Sequence, residues 1–273
     1  MRYAICNETF AGWDHLKVCR HIAGLGYQGL EIAPFTLAGR ITDVSPERRR
    51  ELRQQAADSG VQIIGLHWLL AKTTGLQLTA TEESVRKATA DYLIELARAC
   101  AELGGDILVF GSPAQRRIPA DATREQAAGY AVDTFRRAAK AFGDYGVKLC
   151  LEPLSPPEAD FLNTAAEAVD LIRRLDHPAF RLHLDVKAMA TDDAPATELI
   201  GRHKDVTYHF HANDPNLRGP GFGKVDFVPI FQALKASGYQ GWVSVEVFDY
   251  SPDAETIARE SIRYMRECES KTN

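Results

Sequence analysis

Four apolar runs in this chain end on, or next to, a side chain that can hold a cation or carry a proton. VKLCLEP ends near Glu152, FRLHLDV near Asp185, YHFHA on His211 and WVSVEVF near Glu246. Three carboxylates and one imidazole make a mixed oxygen and nitrogen donor set. Such a set suits Mn²⁺, Mg²⁺ or Co²⁺ at octahedral coordination with open positions. A structural zinc site would instead favour thiolates and a closed tetrahedron. Three carboxylates converging within a few ångströms repel strongly without a cation between them. The expected cofactor is therefore one divalent metal, Mn²⁺ first, with Mg²⁺, Co²⁺ or Zn²⁺ as alternatives. Taken singly, each residue has a plainer explanation. Glu152 and Glu246 could be solvated strand ends, Asp185 a helix cap and His211 a packed rim histidine. Their occurrence on consecutive apolar runs favours a shared site.

The four positions are 33, 26 and 35 residues apart. Each interval is about one strand-plus-helix unit. The same alternation runs from end to end. Strands are expected at Tyr3–Cys6, Gly29–Ala33, Val61–His67, Asp106–Phe110, Val147–Glu152, Arg181–Asp185, Val206–His211 and Trp242–Val247. Helical periodicity fills the intervals, with Asp14, Ser45 before Pro46, and Thr164 as N-cap candidates. Eight such units predict an α/β fold, a single (β/α)₈ TIM barrel spanning residues 1–273, with an open doubly wound sheet as the alternative. In such a barrel the active site lies at the C-terminal ends of the strands, where all four candidates fall. The loops after the fifth, sixth and seventh strands are long and rich in Pro and Gly, as functional loops often are.

A net charge of −5 disfavours nucleic-acid and anionic-membrane partners, since both need a basic face. The five cysteines are odd in number and form no C-x-x-C pair, as expected of reduced thiols in a cytoplasmic protein. No run approaches the roughly 20 apolar residues of a membrane span, and the N-terminus lacks the apolar stretch of a signal peptide. The expected partner is a small molecule, in a chain that could form a homodimer or homotetramer.

Several longer motifs bear on the chemistry. Glu152 is followed by Glu158 and DFLNTAAEA, and Leu184 precedes Asp185. His211 is followed by Arg218-Gly219-Pro220-Gly221 and by Gly223-Lys224-Val225-Asp226-Phe227, and Val245 precedes Glu246. On these residues the chain resembles the xylose-isomerase-like barrels of sugar isomerases and epimerases, in particular the D-tagatose and D-psicose 3-epimerase group. The resemblance implies that Glu152, Asp185, His211 and Glu246 bind the metal. It implies a small-molecule carbohydrate as substrate and partner, contacted by Glu158 and Arg218, and that Glu152 and Glu246 also move protons. At Ala188 the chain departs from the group, which carries a substrate-binding histidine three residues after the metal aspartate. Lys187 stands beside that position and could meet a carboxylate or phosphate, or be a solvated rim lysine.

The chemistry that fits is proton abstraction next to a carbonyl, through an enediolate stabilised by the metal. Glu152 and Glu246 would serve as acid and base on a ketose or related keto-sugar. A lyase or dehydratase acting on a keto-sugar or 3-keto-glycoside would use the same residues. His67 and Trp68, at the end of the third strand, are expected to line the pocket, and Glu31 is a weaker candidate of the same kind. His183 and His209 precede Asp185 and His211 by two residues, so strand alternation puts them on the same face, deeper in the barrel. A phosphodiester nuclease is disfavoured by the acidic charge and by Phe110-Gly111-Ser112 and Ala188 where extra histidines would be needed. A non-catalytic barrel is disfavoured by the presence of both Glu152 and Glu246.

Overall fold

The eight strands close on themselves. In the computed structural model, which describes residues 1–272, all pair in parallel and in sequence order, β1 meeting β8. The strands are β1 (Arg2–Cys6), β2 (Gly29–Ile32), β3 (Gln62–Leu66), β4 (Ile107–Phe110), β5 (Lys148–Leu151), β6 (Phe180–Asp185), β7 (Thr207–Ala212) and β8 (Trp242–Val245). The principal helices are α1 (His15–Leu25), α2 (Pro46–Asp58), α3 (Glu83–Leu103), α4 (Arg124–Asp144) and α5 (Ala165–Leu175), then α6 (Val186–Met189), α7 (Ala196–Arg202), α8 (Phe227–Ala236) and α9 (Ala254–Ser270). The expected (β/α)₈ barrel is present, and the open sheet is excluded by the β1–β8 pairing.

The helices start where capping chemistry lets them. Asp14 accepts the backbone N–H of Lys17 at 3.0 Å, Ser45 that of Arg48 at 3.2 Å and Thr164 that of Glu167 at 3.2 Å. Each cap satisfies a backbone donor that the first helical turn leaves free. The short α6 was not foreseen. Asp185 caps it, accepting the Ala188 N–H at 2.8 Å.

Two apolar layers hold the barrel. The larger lies between strands and helices and includes Phe110, Phe135, Phe142, Phe180 and Phe231, all fully buried. A small inner cluster of Ala4, Ile64, Ile107, Val109, Cys150 and Trp242 fills the barrel's interior. Side chains on a strand alternate between faces. Cys6, Glu152, Ser244 and Glu246 therefore continue the inner face begun by Ala4, Cys150 and Trp242. The inner column thus changes from apolar to polar toward the C-terminal ends of the strands. Gly65 is needed where β3 meets β4, because a Cβ there would lie 2.3 Å from the Ile107 carbonyl oxygen.

Candidate metal and proton-transfer centre

Strand register brings the four expected ligands to one end of the barrel. Asp185 and His211 are direct partners across β6 and β7. Ala212 pairs with Val245 of β8, which sets Glu246 one residue further along. Glu152 follows β5, its N–H bonded to Phe110 O. Glu152, Asp185 and His211, together with His183, each offer a ligand atom within 4.8 Å of the others. Glu246 joins them through His211, whose Nδ1 is 3.1 Å from Glu246 Oε2. Its other oxygen is 3.2 Å from His67 Nδ1. The ring of His211 is fixed from below as well, Nε2 lying 3.1 Å from Glu31 Oε2.

All four are buried, and their charges conflict. Burial, with Glu246 and Asp185 nearby, pushes the Glu152 carboxyl up to about 8. Asp185 is raised by burial and by Glu246. Glu246 is held well below the usual carboxylate range, because His211 and His67 outweigh the burial that would raise it. Burial alone would lower His211, but Glu31 and Glu246 raise it well above the ordinary histidine value. Among the described residues, no side chain or N–H donates to the Glu152 carboxylate. His183 is fully buried with both ring nitrogens unpartnered, its ring centroid 4.1 Å from that of His211. A donor set of three carboxylates and an imidazole, with one carboxylate lacking any donor, fits a divalent cation.

The expected substrate contacts divide into two groups. His67, Trp68, Glu158 and both candidate proton carriers, Glu152 and Glu246, line one small pocket of about 20 Å³. His67 is 1% exposed and bridges Glu246 to Glu8, its Nε2 lying 2.9 Å from Glu8 Oε2. It supports a carboxylate more directly than it faces a ligand. Trp68, at φ 52° in the left-handed region, packs edge-on to Phe248 with ring centroids 6.2 Å apart. Lys187 is not a solvated rim lysine. It is buried, its Nζ lies 2.5 Å from Glu158 Oε1, and it sits 4.5 Å from the centre of the Phe248 ring. Arg218 lies apart from this pocket. It donates to Ser251 O at 2.7 Å and lies against Phe222 and Asp249.

A profile of the xylose isomerase-like TIM barrel family matches residues 19–268. The chain belongs to that family. It is 27% identical over 239 residues to the D-psicose 3-epimerase of Ruminiclostridium cellulolyticum, covering 86% of this chain and 78% of that one. It is 24% identical to the 3-dehydro-D-guloside 4-epimerase of Escherichia coli, covering 98% and 100% of the two chains. These relatives are named as epimerases, which are isomerases. The fold also matches a D-psicose 3-epimerase from Clostridium cellulolyticum solved with D-tagatose. There the TM-score is 0.86, with 22% identity over 98% of this chain and 99% of that one.

Within this xylose isomerase-like barrel, several supporting residues escape a reading of the sequence. Glu31 is fully buried beneath His211 and also takes His209 Nε2 at 2.9 Å. Sequence reasoning had given it only a weak place in the pocket. Glu8 sits in a 3₁₀ turn after β1, where nothing in its spacing marks it. Arg116, fully buried, donates to the main-chain oxygens of Glu152 at 2.6 Å and Leu162 at 3.0 Å. Gly111 leaves the space that Glu152 uses, since a Cβ there would lie 2.1 Å from Glu152 Oε2.

Proposed function

We propose that this chain is a metal-dependent isomerase or epimerase of a ketose or related keto-sugar, with Glu152 and Glu246 as its acid and base. The observation that carries the reading is the pairing of those two glutamates. They line one pocket at the end of the barrel, beside Asp185 and His211. Two carboxyl groups that face one space can take and return protons on the same substrate. The epimerase relatives support the substrate class.

A divalent ion held by Glu152, Asp185, His211 and Glu246 would supply Lewis-acid polarisation of a substrate carbonyl and its neighbouring hydroxyl. Glu246, kept ionised by His211 and His67, removes the proton from the carbon beside the carbonyl. Glu152 takes up a proton from solvent and returns it to carbon. Return to the opposite face of the same carbon gives an epimer, and return to the adjacent carbon gives an isomer. Glu8 fixes His67, and His67 fixes one oxygen of Glu246, so the base has little rotational freedom. Glu31 fixes Nε2 of His211, leaving Nδ1 toward the centre.

The test is to strip the protein, reload it with Mn²⁺, Mg²⁺, Co²⁺ or Zn²⁺, and incubate each form with ketohexoses, ketopentoses and keto-glycosides in D₂O. One deuteron gained at carbon, with mass otherwise unchanged, is the expected result. A product that has lost a substituent would mark a lyase instead. No carbon-bound deuterium with any substrate or ion would overturn the reading.

A further inference from the structure

His183 has no part in the chemistry above, yet strand register brings it to the same centre. Leu151 of β5 lies opposite Leu182 of β6, which sets Glu152 level with His183. The pairing of β6 with β7 slips by one residue between Leu182 and His183. Leu182 stands opposite Thr207, but His183 stands opposite His209 and Asp185 opposite His211. Without the slip, Tyr208 and Phe210 would face His183 and Asp185. A one-residue shift of this kind exchanges the two faces of a strand, and such irregularities gather beside active sites.

The imidazole placed there is fully buried, and neither ring nitrogen has a hydrogen-bond partner among the described residues. Orphaned polar atoms at that depth are costly. A His183 nitrogen lies within 4.8 Å of ligand atoms on Glu152, Asp185 and His211. Donors bound to one ion at about 2.1 Å stand roughly 3–4.2 Å apart, so small side-chain adjustments would let the four share one. His183 also has a nitrogen within 4.8 Å of ring nitrogens on His209 and His211. His209 Nε2 is taken by Glu31 at 2.9 Å, while its Nδ1 is buried without a partner.

We propose that His183 is a further ligand of the divalent ion and that its other nitrogen donates to His209 Nδ1. The inference rests on the reading of Glu152, Asp185 and His211 as ligands. It satisfies three orphaned nitrogens together, and a ligating imidazole ordinarily donates its second N–H in this way. Glu31 then orients His183 through His209, as it orients His211 directly. Glu246 keeps its oxygens on His67 and His211, so His183 supplies a donor that proton transfer does not engage. A second imidazole also changes which ion fits, favouring Co²⁺ and Zn²⁺ over Mn²⁺ and Mg²⁺.

The stripped protein, as wild type, His183→Leu and Asp185→Asn, is titrated with Co²⁺ and with Mn²⁺ by calorimetry. His183→Leu should weaken Co²⁺ binding at least tenfold and lower the Co²⁺-to-Mn²⁺ affinity ratio at least threefold. Proton NMR of the Co²⁺ form counts bound imidazoles through ring N–H lines shifted far outside the protein envelope. Two such lines are expected in the wild type and one in His183→Leu. A single line in the wild type overturns the proposal, and that count decides alone if His183→Leu does not fold. A merely structural histidine would lower the melting temperature of the ion-free variant and leave the affinity ratio unchanged, which also overturns it. If Asp185→Asn abolishes Co²⁺ binding while His183→Leu leaves it intact, the His183 assignment falls and the metal centre stands. If Co²⁺ binds wild type and Asp185→Asn alike, or binds neither, the metal centre falls and His183 with it.

Discussion

Lys187 and Glu158, two side chains expected to meet substrate, meet each other, with Nζ 2.5 Å from Oε1. Ser155 Oγ adds a hydrogen bond to the other Glu158 oxygen at 2.6 Å. The ammonium is buried while the carboxylate side chain keeps 33% exposure, so solvent weakens the attraction. A double-mutant cycle with Lys187→Met and Glu158→Gln should give a coupling of about 1 kcal/mol in urea unfolding. Strict additivity would mean that the contact does not organise the pocket.

Replacing either candidate proton carrier should stop product formation. Glu246→Gln and Glu152→Gln are each expected to lower the rate of product formation by about 10²–10⁴-fold, the usual contribution of a positioned acid or base. Product formation should fail in both, because proton removal and proton return are serial. A wild-type rate of product formation in either variant would remove that residue from the mechanism.

Glu152 should set a pH dependence of ion binding. Without a cation its carboxyl is raised to about 8, so at pH 7 it is mostly protonated. Binding an ion must release that proton. Calorimetry in buffers of different ionisation enthalpy should show proton release at pH 7, with affinity rising up to about pH 8. The same raised value makes the cation-free fold more stable at low pH. That contribution is complete below the ordinary carboxylate range and is lost as pH climbs through about 8. The melting temperature of the stripped protein should therefore fall between pH 5 and pH 8, and excess ion should remove the fall. A flat profile would contradict the shift.

Gly111→Ala tests the space beside Glu152. The added methyl would lie 2.1 Å from Oε2, so the carboxylate must turn away. Gly111 is not in the left-handed region, so alanine brings no backbone strain there. Ion affinity is expected to fall at least tenfold while the melting temperature changes little. Unchanged affinity would show that Glu152 is not a ligand.

The barrel was legible because its signals are local. Strand periodicity, N-caps such as Asp14 and Ser45, and the regular recurrence of acid or histidine at strand ends each act within a few residues. The same regularity singled out Glu152, Asp185, His211 and Glu246, which the strand register brings to one end of the barrel, and put His183 and His209 on the same face. What the sequence hid depends on contacts between distant segments. Glu8 and His67 are 59 residues apart, and Lys187 and Glu158 are 29 apart. Arg218 carries a recognisable motif, but its direction is set by the Ser251 carbonyl across another loop. Asp185 shows why the plainer explanations deserved weight, since it caps α6 with one oxygen and faces the centre as well.

Arg116 separates the anchoring of the candidate site's wall from the chemistry proposed there. Its guanidinium grips position 152 by the peptide oxygen and leaves the side chain untouched. Any amino acid installed at that position inherits the same tether. The loop beyond β5 can therefore keep its course while the group it displays is exchanged. New reactivity could be grafted onto this wall one side chain at a time, without rebuilding the segment that carries it.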